Sequence, residues 1–431
     1  MNDSGTKIEV HLIQNFAPSN LNRDDTGQPK SATFGGVRRA RISSQCSKRS
    51  ARRGGSMAEL LEQQGAVRTR QLIVEIAKAI DEKDEPDEET VEVVAGVFEA
   101  GGLERRLKKG GKAKKAGKQE EEAGNQEGDD SGVGASESKN TTKILVFLDK
   151  EAFPKLVRVF KDRWNDLTKG KKDTTEAARD EIGQLLFEAV KAPDMALFGR
   201  MLEVKSGTPF GKYNMRVEAA CQLAHPISTH KVDMEMDFYT AVDDLNPAEE
   251  TGAGMMGVVG FNSACYYRYA LVDRDQLARN LARKTERRNG QWTQVLETRD
   301  YREADKVVRA FLEAIVCAIP TGKQNSFGAQ NLPSFGMFVV RKGGVPISLA
   351  NAFAKPVRPT KDDDDLIGLS VAALTKHWDA LGRVYGDQGV QTTSCFHLGQ
   401  QARLNELSGS DKGSVQEAIN AVLRATGGQD E

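Results

Sequence analysis

The sequence predicts an α+β fold, a ferredoxin-like or RRM-like sandwich whose antiparallel sheet carries helices on one face. Three observations predict it. Residues 7–14, KIEVHLIQ, alternate Ile8, Val10 and Leu12 with polar neighbours, the period of a half-buried strand. Residues 303–320, EADKVVRAFLEAIVCAIP, carry an apolar stripe from Val307 to Ile319 that stops at Pro320, which specifies a helix. Between them, VDMEMDF (232–238) and SACYYRYALV (263–272) both keep period two and read as a hairpin with a long, glycine-rich tip, DDLNPAEETGAGMMG.

The remaining elements follow in order. After the first strand, NFAPSNLNRDDTGQPKSATFGG (15–36) reads as a long polar loop, of the length that is functional or unstructured. Ser43 or Ser44 can cap a helix that runs to Arg53 and stops at Gly54-Gly55. Residues 57–98 form an amphipathic helical stretch interrupted by DEKDEPDEET. Residues 101–140 hold a Lys-rich block, then an acidic one, with almost no branched or aromatic side chains, and read as a disordered surface insertion. KILVFLD is a short buried strand or a helix start. Helices follow from about Phe153 to Ala192, with a break at TKGKKDTT. FGMFVVR (335–341) is a strand, VAALTKHWDALGRVY (371–385) a helix, and a helical tail closes the chain.

Composition excludes several classes. Five cysteines, at 46, 221, 265, 317 and 395, are widely spaced without a C-x-x-C pair, which argues for reduced thiols and against a zinc site. No run approaches ~18 apolar residues, and MNDSGTKIEVHLIQ lacks the pattern of a secretory signal, so the expectation is a soluble cytoplasmic protein without a membrane partner. There is no P-loop, G-x-S-x-G or strand-borne G-x-G-x-x-G. His225 and His230 are five apart, which does not align two ligands on a helix, and no metal or cofactor is expected. The doublets Asp24-Asp25 and Asp243-Asp244 suit either turn capping or Mg²⁺.

Charge is the strongest local signal. From Thr26 to Ala58 the chain has eight Lys or Arg and no Asp or Glu, within a total formal charge of -1. On the helix after Ser43, Gln45, Lys48, Arg49 and Arg52 fall at i, i+3, i+4 and i+7 and share a face, while Cys46, Ser47, Ser50 and Ala51 form a small-residue side fit to lie on a sheet. A basic face running from a helix N-terminus suits a polyphosphate backbone better than one small anion.

NLNRDD, Lys30, then FGG-x-RR-x-RISSQ-x-x-KR closely resemble the N-terminal signature of the CasC (Cas-seven) family, the backbone subunits of Cascade, the type I-E CRISPR surveillance complex. The resemblance continues through GRM (199–201), AHPISTHKVD-x-x-x-DFYTAVDDL, YYRYA, GKQ (322–324) and PISLANAF (346–353). It implies a right-hand shape: an RRM-like palm (1–56, 199–230 and 265–431), helical fingers inserted over 57–198 and a thumb hairpin over 231–264. It implies that several copies line one guide RNA (crRNA), grip its phosphates and kink it at regular intervals, leaving guide bases free to pair with target DNA in antiviral defence. The implied partners are guide RNA, target DNA through the guide, other copies of the chain and the other Cascade subunits, in a ribonucleoprotein complex with no catalysis by this chain. Carried over by position, Arg23, Ser43, Gln45, Lys48, Arg52 and Lys323 match RNA contacts, with Lys30, Arg49 and Gln324 beside them, and Met201 and Tyr239 match the apolar pair at the kink. Two residues depart from the pattern: Tyr239 stands where Phe is usual, and Ser47 where an apolar residue is usual. Met255 and Met256 at the thumb tip fit either a wedge or a plain loop. The alternative is a type III-like backbone subunit that cleaves target RNA with Mg²⁺ at Asp24 or Asp25.

Overall fold

The computed structural model describes residues 5–106, 140–241, 255–283, 285–288, 291–294, 296–399 and 403–427. Most of the low-complexity insertion (107–139) and the hairpin tip with Asp243 and Asp244 (242–254) lie outside them. The chain forms two compact units, one of Met1–Glu59, Cys221–Ala278 and Glu297–Glu431, the other of Leu60–Ala220 and Arg279–Leu296.

The first unit is built on an antiparallel sheet. Thr6–Ser19 is its central strand, between Phe335–Lys342 and Met255–Asp273, with Val390–His397 beyond the former and Cys221–Leu223 beyond the latter. Ile8, Val10 and Leu12 point to one face. There Val10 and Leu12 share a recess with Ser47 of the Ser44–Arg52 helix and Ile315 of the Thr298–Cys317 helix. The latter begins with a capping box between Glu297 and Asp300 and ends before Pro320, as its stripe predicts.

The alternation in KIEVHLIQ predicts that its polar residues face water, and here the structure differs. The second face is covered by the Leu366–Tyr385 helix and the 346–353 segment, which bury Ile13, Tyr267, Met337, Val339 and Cys395 with Leu349, Phe353, Val371 and Leu374. Glu9 and His11 are therefore inside, and Gln14, on the opposite face beside Arg268, is inside as well, each wholly buried. Burial requires partners for such groups. Arg341 donates to Glu9 Oε1 at 2.9 Å, and the Ile347 N–H donates to the same oxygen at 2.7 Å. Tyr267 Oη accepts from the Leu349 N–H at 2.8 Å and lies 2.9 Å from His11 Nδ1. PISLANAF is thus fastened over the sheet by backbone bonds to two buried side chains.

Two further differences concern local elements, and one open alternative closes. The first strand runs on to Ser19, and the polar loop contains a hairpin, Ser31–Phe34 with Val37–Ala40. Val390–His397, read as part of a helical tail, is an edge strand; the tail's helix is Val415–Ala425, and Ala418 O accepts from Ser394 Oγ. KILVFLD resolves into a strand, Val146–Asp149, paired with Ala66–Thr69.

The second unit is mainly helical, with Leu72–Asp81, Glu88–Gly101, Ala152–Thr168 and Lys172–Glu188 around Ile76, Val94, Phe98, Phe160, Ile182 and Leu186. Residues 199–220, read from the sequence as palm, contribute Leu202, Phe210 and Met215 to this core.

Arg341→Met leaves the Glu9 carboxylate buried without its cation and should destabilise the first unit by about 3–5 kcal/mol, whereas Glu9→Gln with Arg341→Met should recover part of that loss in denaturant unfolding. Burial raises the Glu9 carboxyl, but hydrogen bonds and charge from His11 and Arg341 outweigh it and hold the group below its usual range. Its contribution is therefore complete above that range and lost as the pH falls through the lowered value, a component that Glu9→Gln should lack.

Candidate nucleic-acid interface

The basic segment opens with the Ser31–Ala40 hairpin, whose turn is Gly35-Gly36 with φ of +60° and +77°. Two left-handed positions between paired strands make the turn that matches strand twist, and glycine adopts them without cost from a side chain. The glycine pair is therefore a hairpin turn rather than a hinge leading directly into the helix. Gly35 also lies against the chain: a Cβ there would sit 1.7 Å from Ala354 O.

Alternation along the returning strand separates the arginine pair. Arg38 is exposed, whereas Arg39 is wholly buried and donates to Phe34 O (3.2 Å), Ser228 O (3.0 Å) and Phe353 O (2.7 Å). Arg39 thus belongs to the frame of the site, and not all eight basic residues of the segment face solvent. Nothing in the sequence distinguishes the two.

The helix follows as its cap predicts. Ser43 is the N-cap: its N–H donates to Asn22 Oδ1 at 2.8 Å and its Oγ accepts from the Cys46 N–H at 3.2 Å. NLNRDD and RISSQ are joined at that point. Gln45 and Arg49 are exposed, Lys48 and Arg52 partly so, and Ser47 and Ala51 are buried. The helix therefore packs through the small-residue side, and Ser47, standing where a larger apolar side chain is usual, lines a recess with Val10, Leu12 and Ile315. Arg49 and Arg52 stand in the last turn, where cations also complement the helix dipole.

The other predicted contacts gather around the 20–30 loop. Arg23 bridges Pro29, and the Lys30 N–H donates to Asn22 O at 2.9 Å. Asp24 Oδ1 accepts from Thr26 N, Thr26 Oγ1 and Gln28 N, which holds its carboxyl below the usual range and shows Asp24 shaping a turn. Gly322 approaches so closely that a Cβ would lie 2.3 Å from Leu21 O. GKQ, about 300 residues away in sequence, is thereby set beside NLNRDD. Lys323, at φ +50°, caps the short helix Gln324–Phe327, and Gln324 donates from its amide to Pro320 O and Ala329 O, bracing the loop. The Phe327 ring meets Phe261, at the base of the long hairpin, with centroids 5.7 Å apart.

In that hairpin Glu235–Ala241 pairs with the start of Met255–Asp273. Tyr239 lies opposite Gly257 and its ring occupies the space a Cβ there would need. Phe238 is more exposed, at 75%, than Tyr239 at 42%; only its place in the alternation marked it. The side chains of Met255 and Met256 lie outside the described residues. Met201 belongs to the second unit and is 63% exposed. Its motif divides the work: Gly199, at φ +81°, makes the turn, and Arg200 is buried, donating to Met215 O, Phe147 O and Leu186 O. Burial brings that guanidinium down to about 9.

His230 is structural, with Nδ1 2.8 Å from Lys231 O and Nε2 accepting from the Cys265 N–H. Among the described residues no group of three or more His, Cys, Asp or Glu could hold a metal ion, and no helix is long and apolar enough to cross a membrane.

A sequence profile described as CT1975-like protein matches residues 8–422. A chain of a solved structure described as "CRISPR RNA-guided surveillance complex, pre-nicking" is similar at 27% identity and a TM-score of 0.72, over 96% of this chain and 100% of that one. A chain of a second, described as "CRISPR RNA-guided surveillance complex", shares the fold at 23% identity and a TM-score of 0.63, over 97% and 99% of the two chains. No curated protein sequence matches the chain significantly.

Gly35→Ala and Gly36→Ala separate turn strain from contact. Both residues have positive φ, but nothing lies within 4 Å of a Cβ at Gly36. Gly36→Ala should cost about 1–2 kcal/mol from left-handed strain, and Gly35→Ala clearly more, compared by chemical denaturation.

Proposed function

Because the chain belongs to the CT1975-like protein family, we propose that it is a guide-RNA-binding backbone subunit of a CRISPR surveillance complex of the type I-E Cascade kind. In this reading it holds the RNA by its phosphates, repeats along the guide with other copies of itself and carries out no catalysis. The observation that carries the reading is the convergence within one unit of the Gln45, Lys48, Arg49 and Arg52 helix face, the Arg23–Lys30 loop and the Lys323 loop, joined through Asn22 and Gly322.

The sheet supports the same reading. Its strands 335–342, 6–19, 255–273 and 221–223 stand in the spatial order fourth, first, third, second of a ferredoxin-like, RRM-like palm, with the 44–52 and 298–317 helices in their expected places along the chain. The face on which an ordinary RRM stacks bases is covered by the 366–385 helix. RNA is thus left to the loops and the helix face, which suits gripping a backbone while bases stay open. The Glu235–Phe261 hairpin serves as the thumb, and Met201 and Tyr239 are the apolar contacts expected at a kink.

Binding should weaken steeply with salt and equally for unrelated guide sequences. Each phosphate contact on a single strand contributes about 0.7 to the slope of log affinity against log salt, so Lys48→Ala with Arg52→Ala should lower the slope by about 1.4. A loss restricted to one sequence, or an unchanged slope, in filter-binding or anisotropy titrations would overturn the reading.

A further inference from the structure

A second cluster of positive charge lies beside the helix. Arg41 donates from a terminal guanidinium nitrogen to His225 Nδ1 at 2.8 Å, in an exposed position. A guanidinium can only donate, so Nδ1 accepts and the neutral ring carries its proton on Nε2. Lys30 is near enough for its charge to act on the same ring. Burial, then Arg41, then Lys30 keep the imidazole below its usual range, and these two cations are the charged groups that face it.

Backbone bonds fix the arrangement in advance. The Arg41 N–H donates to Lys30 O at 2.9 Å, Arg41 bridges Ile227, and the Ile42 N–H donates to Pro226 O at 3.0 Å. Arg41 Nε reaches Ser31 O at 3.4 Å. Three segments thus hold two cations and an imidazole N–H together, in a stretch where residues 26–58 supply no carboxylate.

We propose that Arg41 and His225 extend the Lys30 end of the Arg23–Lys30 loop into a second phosphodiester-binding node, off the helix face, in which His225 joins as a cation when phosphate is bound. The inference rests on the RNA-backbone reading above. Protonating Nδ1 removes the acceptor that Arg41 uses and brings three positive groups together. A bound phosphodiester offsets that repulsion by accepting from the freed guanidinium, Lys30 Nζ and the ring N–H. Binding and the uptake of one proton are therefore linked. The anion raises a group that titrates low in the free protein, so affinity increases as the pH falls through that interval.

The test uses the full chain and single-stranded RNA oligonucleotides of unrelated sequence, titrated across a salt series at about pH 6 and about pH 8. The slope of log affinity against log salt should be steeper by about 0.7 at the lower pH, and His225→Gln, with its melting temperature checked, should abolish that difference. Equal slopes at both pH values in the unsubstituted chain, or a pH difference that survives in His225→Gln, overturn the node and leave the proposed function standing. Absence of RNA binding under every condition sinks both. Should His225→Gln fail to fold, the His225 imidazole resonance decides: its titration moves upward when RNA is added if the node exists, and stays in place if it does not.

Discussion

A buried guanidinium keeps its charge and must find acceptors within reach, and at Arg39 that requirement organises the basic half of the first unit. Its acceptors are carbonyls from three separate parts of the chain: the hairpin itself, the short strand at Ser228 and the end of the PISLANAF segment at Phe353 and Ala354. The Gly35-Gly36 turn is pressed onto Ala354 by the same contact set, and residues 41–43 leave the hairpin in the direction that lets Ser43 meet Asn22. The helix face and the loops are thus held by a cation that is itself wholly buried.

Buried polar groups play the same part across the sheet. Glu9 and Tyr267 hold backbone N–H groups of the segment that covers them, and Arg268 donates to Gln14 and to Ile315 O. An all-apolar face would pack equally well against several registers of that cover, whereas paired hydrogen-bonding groups accept one. Covering both faces in this way leaves the central strand buried along most of its length.

Much of this was legible in the sequence. Period two announced the central strand and the long hairpin, an apolar stripe announced the 298–317 helix, and a serine before a basic run announced the cap and the orientation of the 44–52 helix. The separate roles of Arg38 and Arg39 were not legible, because pattern gives alternation but not which side a hairpin turns inward. Val390–His397 was missed because both its faces are covered unevenly, one by the sheet's core and one by the C-terminal helix, so no clean alternation survives. The meeting of Gly322 with Leu21 joins motifs separated by most of the chain, and only the fold reveals it.

The Met255–Asp273 strand spans 19 residues, on the order of 60 Å at about 3.3 Å per residue, and it is continuous from the core to the exposed hairpin. Such an element behaves mechanically as a stiff beam clamped at one end, between Thr6–Ser19 and Cys221–Leu223. Force applied to its free end is carried as torque into the clamped region instead of being absorbed by a flexible joint. The direction in which the Glu235–Ala241 pairing leaves the sheet is thereby set by the clamped part of the strand.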